Sequence, residues 1–143
     1  MQQMYEDYKD IVEFRLVYIS EAHAADGSWP VAYAKDLGIT EHKDYGQRCT
    51  TAERLLKDKS LTIPTLIDGM DNKVNEAYKA HPDRIFVVRK DGRLAVVAAR
   101  GPFGFTPALK ETQQWLADYK KSGQELPLPE PSEGSQKDMG EKP

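Results

Sequence analysis

The sequence predicts a single α/β domain, with a mixed sheet flanked by helices. Segments with helical apolar spacing alternate with short runs rich in β-branched residues, and a strong turn signal joins two of those runs into a hairpin. The chain has 143 residues, of which 39% are hydrophobic and 30% charged, a balance typical of a globular domain with a proper core.

The first segments alternate between helix and strand. Apolar residues at near-helical spacing predict a helix over residues 1–10, although no capping residue stands at its start. The β-rich run at 14–19 predicts a buried strand. Residues 20–45 show no clear periodicity, and a loop of that length is often functional.

A second helix and strand follow this loop. Asp44 and Gln47 resemble a capping box, which predicts a helix that runs to about Asp58. The apolar face predicted for this helix consists of Cys49, Ala52, Leu55 and Leu56. A strand is expected at 63–67, and a short helix around Val74, Ala77 and Tyr78.

The last third contains the hairpin and a closing helix. Strands at 84–89 and 94–99 flank an Asp-Gly step, whose backbone tolerates the positive φ angles of a tight turn. Thr106 and Pro107 predict the cap and first position of a helix that Gly123 ends. We therefore predict a domain over 1–123 and, because its composition offers almost nothing to bury, a disordered polar tail over 124–143.

Composition argues against several function classes. The formal net charge of −3 argues against nucleic acid as the main partner, and no apolar run is long enough to span a bilayer. One cysteine, Cys49, excludes an internal disulfide and is compatible with a reducing compartment, so we expect a cytoplasmic location. His23, His42 and His81 show no diagnostic metal-ligand spacing, and no metal is predicted.

Three stretches together resemble the iodothyronine deiodinase family, including its bacterial relatives. They are Val17 to Gly27 with Trp29 close behind, Asp68 to Asn72 continuing to Tyr78, and Arg100 to Phe103. The first stretch, VYISEAHAADG, is the most specific, and the inserted Ser28 departs from the family pattern. The similarity covers roughly residues 1–120.

The resemblance implies a thioredoxin-like fold and a selenocysteine or cysteine as the attacking group. In that family this group follows a first strand, which lies in the sheet between the strand of residues 14–19 and the hairpin. This chain carries neither that strand nor that residue, so we expect an N-terminally shortened version of a longer selenoprotein or thiol enzyme, whose sheet has an unfilled interior position.

Five residues are candidates for the site, and the resemblance implies the roles of three of them, His23, His42 and Arg100. His23 matches a family histidine implicated in catalysis or in holding the substrate's phenolic group, and the alternative is a loop histidine bonded to nearby backbone. Glu21 stands two residues before His23, so in an extended segment the two share a face, and Glu21 would orient that imidazole or be solvated. His42 is expected to relay protons or to be a surface histidine. Arg100 would bind a substrate carboxylate or phenolate or be a solvated charge, and Trp29 would contact substrate or, as we prefer, anchor its loop.

Cys49 and Pro82 are weaker candidates beside this set. Cys49 lies near a helix start, where a thiol pKa can be lowered, but its helical phase favours the core over catalysis. Pro82 precedes the hairpin, where thioredoxin-like folds often place a cis-proline beside the active site.

The function expected on this basis is reductive dehalogenation of an iodothyronine-like or other halogenated phenol by a thiol or selenol. No bound cofactor is expected; a thiol reductant would serve as co-substrate, and a homodimer is possible. The alternatives are a non-catalytic thioredoxin-like domain that binds a partner or small aromatic ligand, and a thiol peroxidase that uses Cys49.

Overall fold

The computed structural model describes residues 1–125, which form five helices and four strands. In chain order these are α1 (Gln2–Tyr8), β1 (Leu16–Tyr18), α2 (Ala32–Leu37), α3 (Tyr45–Asp58), β2 (Thr65–Ile67), α4 (Lys73–Tyr78), β3 (Phe86–Val88), β4 (Leu94–Val97) and α5 (Phe105–Ser122). The predicted α/β class is confirmed. The domain boundary and the tail at 124–143 stay predictions, since residues 126–143 lie outside the described part.

The four strands form two separate pairs. Strand β1 runs parallel to β2, with Leu16 opposite Thr65 and Tyr18 opposite Ile67. Strands β3 and β4 form an antiparallel hairpin. No strand within residues 1–125 joins the two pairs, so the expected position between residues 14–19 and the hairpin is not filled by a described strand. The arrangement is compatible with a thioredoxin-like fold.

The hairpin turn confirms the prediction made from the Asp-Gly step. The N–H of Arg89 donates to the carbonyl of Arg93 at 2.9 Å, and Gly92 adopts a φ of 81°. The Asp91 carboxylate accepts a hydrogen bond from the N–H of Arg93 at 3.0 Å. Glycine suits this position because it has no Cβ to oppose a positive φ.

A small hydrophobic core lies between the hairpin and α5. Ile85, Ala98 and Ala108 are buried together, and Phe105 and Leu109 pack against them. The helix ends at Gly123, with a φ of 68°, as predicted.

The start of α5 differs from the prediction. The cap is Gly104 and not Thr106, because the N–H of Gly104 bonds the carbonyl of Arg100 at 3.1 Å and this turn leads directly into the helix. Pro107 is therefore the third residue of the helix and not its first.

Helix α3 begins and ends where the sequence predicts. The Asp44 carboxylate accepts a hydrogen bond from the N–H of Gln47 at 2.8 Å, and the Gln47 side chain accepts one from the N–H of Lys43. The buried face of the helix differs from the prediction, because it consists of Arg48 and Ala52. Among the residues predicted for that face, Cys49 and Leu56 are half-buried and Leu55 is exposed.

The segment 20–45 is more ordered than its missing periodicity suggested. It contains α2, whose single buried residue is Ala34, so the apolar stripe was too weak to predict a helix. Two long-range bonds close the segment: the N–H of Ala25 donates to the carbonyl of Ile39, and the N–H of Glu41 donates to the Asp26 carboxylate. Among residues 1–125, no helix combines the length and apolar character that crossing a bilayer requires.

Candidate functional site

The carboxyl ends of β1 and β2 meet at one edge of the parallel pair. Tyr18 is the last residue of β1, and its carbonyl accepts a hydrogen bond from the N–H of Asp68, just beyond β2, at 2.9 Å. In α/β folds the residues that leave neighbouring parallel strands line the place where ligands bind. The loop that carries His23 and the turn before α4 both start at this edge.

Four side chains, which we call the polar cluster, gather here: Tyr18, Glu21, His42 and Arg48. The Tyr18 hydroxyl donates a hydrogen bond to the Glu21 carboxylate. The ring of His42 lies 5.9 Å from the ring of Tyr18 between centroids. Arg48, near the start of α3, is 2% exposed. One carboxylate and one guanidinium therefore act on the same phenol and the same imidazole.

The Tyr18 phenol is held in its protonated form. Burial raises the pKa of Tyr18 well above its usual range, and the hydrogen bond and charge of Glu21 raise it further. The positive charge of Arg48 opposes this shift but does not outweigh it. The hydroxyl is consequently a fixed donor to Glu21 throughout the physiological pH range.

The His42 imidazole is favoured in its neutral form. Burial lowers the pKa of His42; the charge of Glu21 opposes this effect, and the charge of Arg48 adds to it. Its Nε2 is buried and has no hydrogen-bond partner among the described residues. A neutral imidazole can accept a proton at one nitrogen and donate one from the other.

Arg48 and Asp68 hold the edge of the site together. The Arg48 guanidinium donates from Nη1 to the carbonyl oxygens of Asp68 at 3.1 Å and of Gly69 at 2.6 Å. The buried Asp68 carboxylate accepts hydrogen bonds from the N–H groups of Val74 at 3.1 Å and Asn75 at 2.9 Å. It thereby satisfies two donors at the start of α4.

Sequence reasoning missed the side chains of Tyr18, Arg48 and Asp68. The four-residue spacing from Arg48 to the buried Ala52 is a signal that both share the inner face of α3. Asp68 lies within one of the three stretches that carry the resemblance, but no role was assigned to it.

His23 lies beside Trp29 on the loop that leaves β1. Its Nδ1 is 3.1 Å from the carbonyl oxygen of Trp29, and the two rings meet edge to face at 4.8 Å. A carbonyl oxygen only accepts, so Nδ1 carries the hydrogen in this bond and Nε2 is left as the nitrogen that can exchange a proton. Trp29 is 59% exposed, which leaves much of its surface accessible.

Glu21 is bonded to Tyr18 and has no described hydrogen bond to His23. Neither predicted alternative for Glu21, orienting His23 or being solvated, describes this contact. The chain does not stay extended after β1, so residues two apart do not share a face there. The structure thus joins Glu21 to His42 through Tyr18, and His23 to Trp29.

Arg100 lies in the loop between β4 and α5 and is exposed. Among the described residues its guanidinium has no hydrogen bond or ion pair. The N–H of Gly101 donates to the carbonyl of Asp83 at 3.0 Å, which places this loop next to residues 81–83.

The His81–Pro82 peptide bond is cis, as suggested for Pro82, and the Gly101–Pro102 peptide bond is cis as well.

Cys49 follows Arg48 on α3 and is a half-buried free thiol. None of the described hydrogen bonds connects it to the polar cluster. Within residues 1–125 no three His, Cys, Asp or Glu side chains are grouped closely enough to hold a metal ion.

Comparison with known proteins relates the chain to one family. The profile of the iodothyronine deiodinase family matches residues 1–120. The type II iodothyronine deiodinase of Neoceratodus forsteri is 35% identical over 125 residues, which is 84% of this chain and 45% of that protein. The thyroxine 5-deiodinase of Sparus aurata is 34% identical, and the human type II enzyme 32% identical, over 83% and 80% of this chain and 42% of each relative. The chain spans less than half the length of these relatives, yet the match extends over most of its own residues, and it belongs to the iodothyronine deiodinase family.

Proposed function

We propose that this chain is part of a reductive dehalogenase of the deiodinase type, which acts on an iodothyronine-like or other halogenated phenol. The observation that carries the proposal is the polar cluster, in which the Tyr18 hydroxyl donates a hydrogen bond to Glu21 beside a half-buried His42 whose pKa is lowered by burial. The names of the relatives support the reaction class. They describe those longer proteins, and the activity of this chain is our proposal.

The proposed reaction replaces a carbon–iodine bond of the ring with a carbon–hydrogen bond. A thiolate or selenolate attacks the iodine, so that a sulfur–iodine or selenium–iodine bond forms as the carbon–iodine bond breaks. The electron pair stays on the ring carbon, which takes up a proton. Two thiol molecules then reduce the adduct: they form one disulfide, release iodide and two protons, and regenerate the nucleophile.

The described residues supply the proton and hold the ring. His23 delivers the proton from Nε2, and His42 exchanges protons with the site while the Tyr18–Glu21 bond fixes its surroundings. Arg100 binds the phenolate or carboxylate of the substrate with its exposed guanidinium. The exposed face of Trp29 borders the ring beside His23.

We assign the nucleophile to a residue other than Cys49. A reactive thiol needs an accessible position beside cationic or basic groups, whereas the described hydrogen bonds connect Cys49 to none of the polar cluster. The attacking selenocysteine or cysteine is expected directly after the first strand of the family fold, upstream of Met1. A thiol reductant is the co-substrate, and no tightly bound cofactor takes part.

The first test reads the DNA directly upstream of the Met1 codon. We expect an in-frame segment that encodes a strand followed by a UGA or Cys codon. An unrelated upstream frame would contradict the assignment of the nucleophile. The protein that includes the upstream segment, which we call the extended protein, should release iodide from an iodinated phenol in the presence of dithiothreitol. The 143-residue chain should not.

The second test replaces His23 in the extended protein. His23→Asn is expected to lower kcat about 100-fold or more, because positioned proton transfer contributes on that scale. His81→Asn, at an exposed histidine to which the proposed chemistry assigns no role, is the matched control and should lower kcat far less. Equal turnover of the two variants would refute the role of His23. If the chain consumes peroxide and Cys49→Ser abolishes this activity, the thiol peroxidase is favoured instead. If the chain binds a ligand without turnover, the non-catalytic binding domain is favoured.

A further inference from the structure

Arg48 is a buried charged residue that the proposed chemistry does not use. We propose that Arg48 is a positioning residue of the site. Its hydrogen bonds connect the start of α3 to the turn after β2, and its positive charge opposes the negative charge of Glu21 at His42. This inference rests on the proposed function for its catalytic meaning, but its physical content is tested without turnover.

Burial makes Arg48 an unusual choice for this position. A guanidinium that is 2% exposed loses the hydration of its charge, and the fold keeps such a group only where hydrogen bonds and opposite charge compensate. Its Nη1 bonds the carbonyls of Asp68 and Gly69, while its buried Nε has no partner among the described residues. A neutral residue of similar volume would avoid the desolvation of a charge but would leave the carbonyls of Asp68 and Gly69 without this donor.

The contacts of Arg48 reach the reacting edge by two routes. Through the backbone, it holds the carbonyl of Asp68, whose N–H in turn bonds the carbonyl of Tyr18. Through space, its charge acts on both Tyr18 and His42, and in both cases opposes the charge of Glu21. The charged groups that act on His42 are therefore Glu21 and Arg48, with the Tyr18 ring against its face.

This geometry makes His42 sensitive to two opposite substitutions. Without Arg48 the carboxylate of Glu21 is unopposed, and protonated His42 becomes more favourable. Without Glu21 the guanidinium is unopposed, and protonated His42 becomes less favourable. A purely structural arginine would affect the free energy of unfolding but would not produce this pair of opposite shifts.

The experiment is an NMR titration of the imidazoles in the 143-residue chain. It contains three histidines, and the His42 signal is assigned by its loss in His42→Gln. Arg48→Met is expected to raise the pKa of His42, and Arg48→Lys, which keeps the charge, should raise it less. Arg54→Met is the matched control on the same helix, because Arg54 is exposed and bonds the carbonyl of Leu37; it should leave the His42 titration unchanged.

The result that overturns the inference is a folded Arg48→Met variant in which His42 titrates as in the parent chain. If Arg48→Met does not fold, Arg48→Gln decides, because its neutral amide can still donate to the carbonyls of Asp68 and Gly69: the pKa of His42 must rise, and an unchanged or lower value contradicts the action of Arg48. In the extended protein, Arg48→Met should also move the acidic limb of the kcat–pH profile to higher pH. The expected titration shifts in a protein that releases no iodide would leave the role of Arg48 standing and refute the proposed function.

Discussion

The two sides of the candidate site differ in how firmly the fold holds them. At the edge where β1 and β2 end, Tyr18 of β1 and Arg48 of α3 are buried and hydrogen bonded. In the loop between β4 and α5, Arg100 is exposed and Phe103 is 92% exposed. Folding itself therefore positions the proton-handling side, whereas the proposed anion-binding side has side chains that the fold leaves exposed. Substitutions should affect stability on the first side and ligand binding on the second.

The largest effect on stability is expected for Asp68→Ala. The substitution removes the acceptor for the N–H groups of Val74 and Asn75, which then lie near the start of α4 without a partner. We expect the free energy of unfolding to fall by about 2 kcal/mol, measured by urea denaturation. Asp44→Ala is the control: it removes an exposed cap with one such bond and should cost about 1 kcal/mol. A smaller loss for Asp68→Ala than for the control would refute the contrast.

An intermediate effect is expected from pH, through His42. Because burial lowers its pKa in the folded chain, the unfolded chain binds a proton first as the pH falls. The contribution of His42 to the free energy of unfolding should therefore be fully present above pH ~6.5, the usual pKa of the free side chain. It should decrease as the pH falls from there toward the pKa of His42 in the folded chain.

Urea denaturation at about pH 7.5 and about pH 5 measures this loss. We expect a smaller decrease in His42→Gln than in the parent chain, whereas His81→Gln, at an exposed histidine, should follow the parent. If His42→Gln and the parent lose the same free energy over this interval, the imidazole is not held neutral by the fold.

The smallest effect on stability is expected for Arg100→Gln. Its guanidinium makes no described hydrogen bond or ion pair, so the free energy of unfolding should change by no more than about 0.5 kcal/mol. In the extended protein the same substitution should raise KM for a phenol that carries a carboxylate more than for one that lacks it. Loss of stability comparable to that of Asp68→Ala would show that the fold holds both sides of the site equally firmly.

Local patterns predicted much of the fold. The Asp44 cap of α3, the Asp-Gly turn of the hairpin and the end of α5 at Gly123 depend on residues a few positions apart, and all three are confirmed. The predicted start of α5 was wrong because a turn from Arg100 to Gly104 determines where the helix begins, and that turn has no distinctive residue pattern. Helix α2 was missed because it buries a single alanine.

The sequence by itself determined which chemical groups leave β1, since Glu21, His23 and Trp29 stand in one short segment whatever the rest of the chain does. The tertiary structure alone decided their partners. Arg48 meets the carbonyl of Gly69 across 21 positions, and Glu21 turns back to Tyr18 when the strand ends. The physical reason is that burial and charge depend on which distant segments pack together, and the spacing of neighbouring residues does not encode that packing.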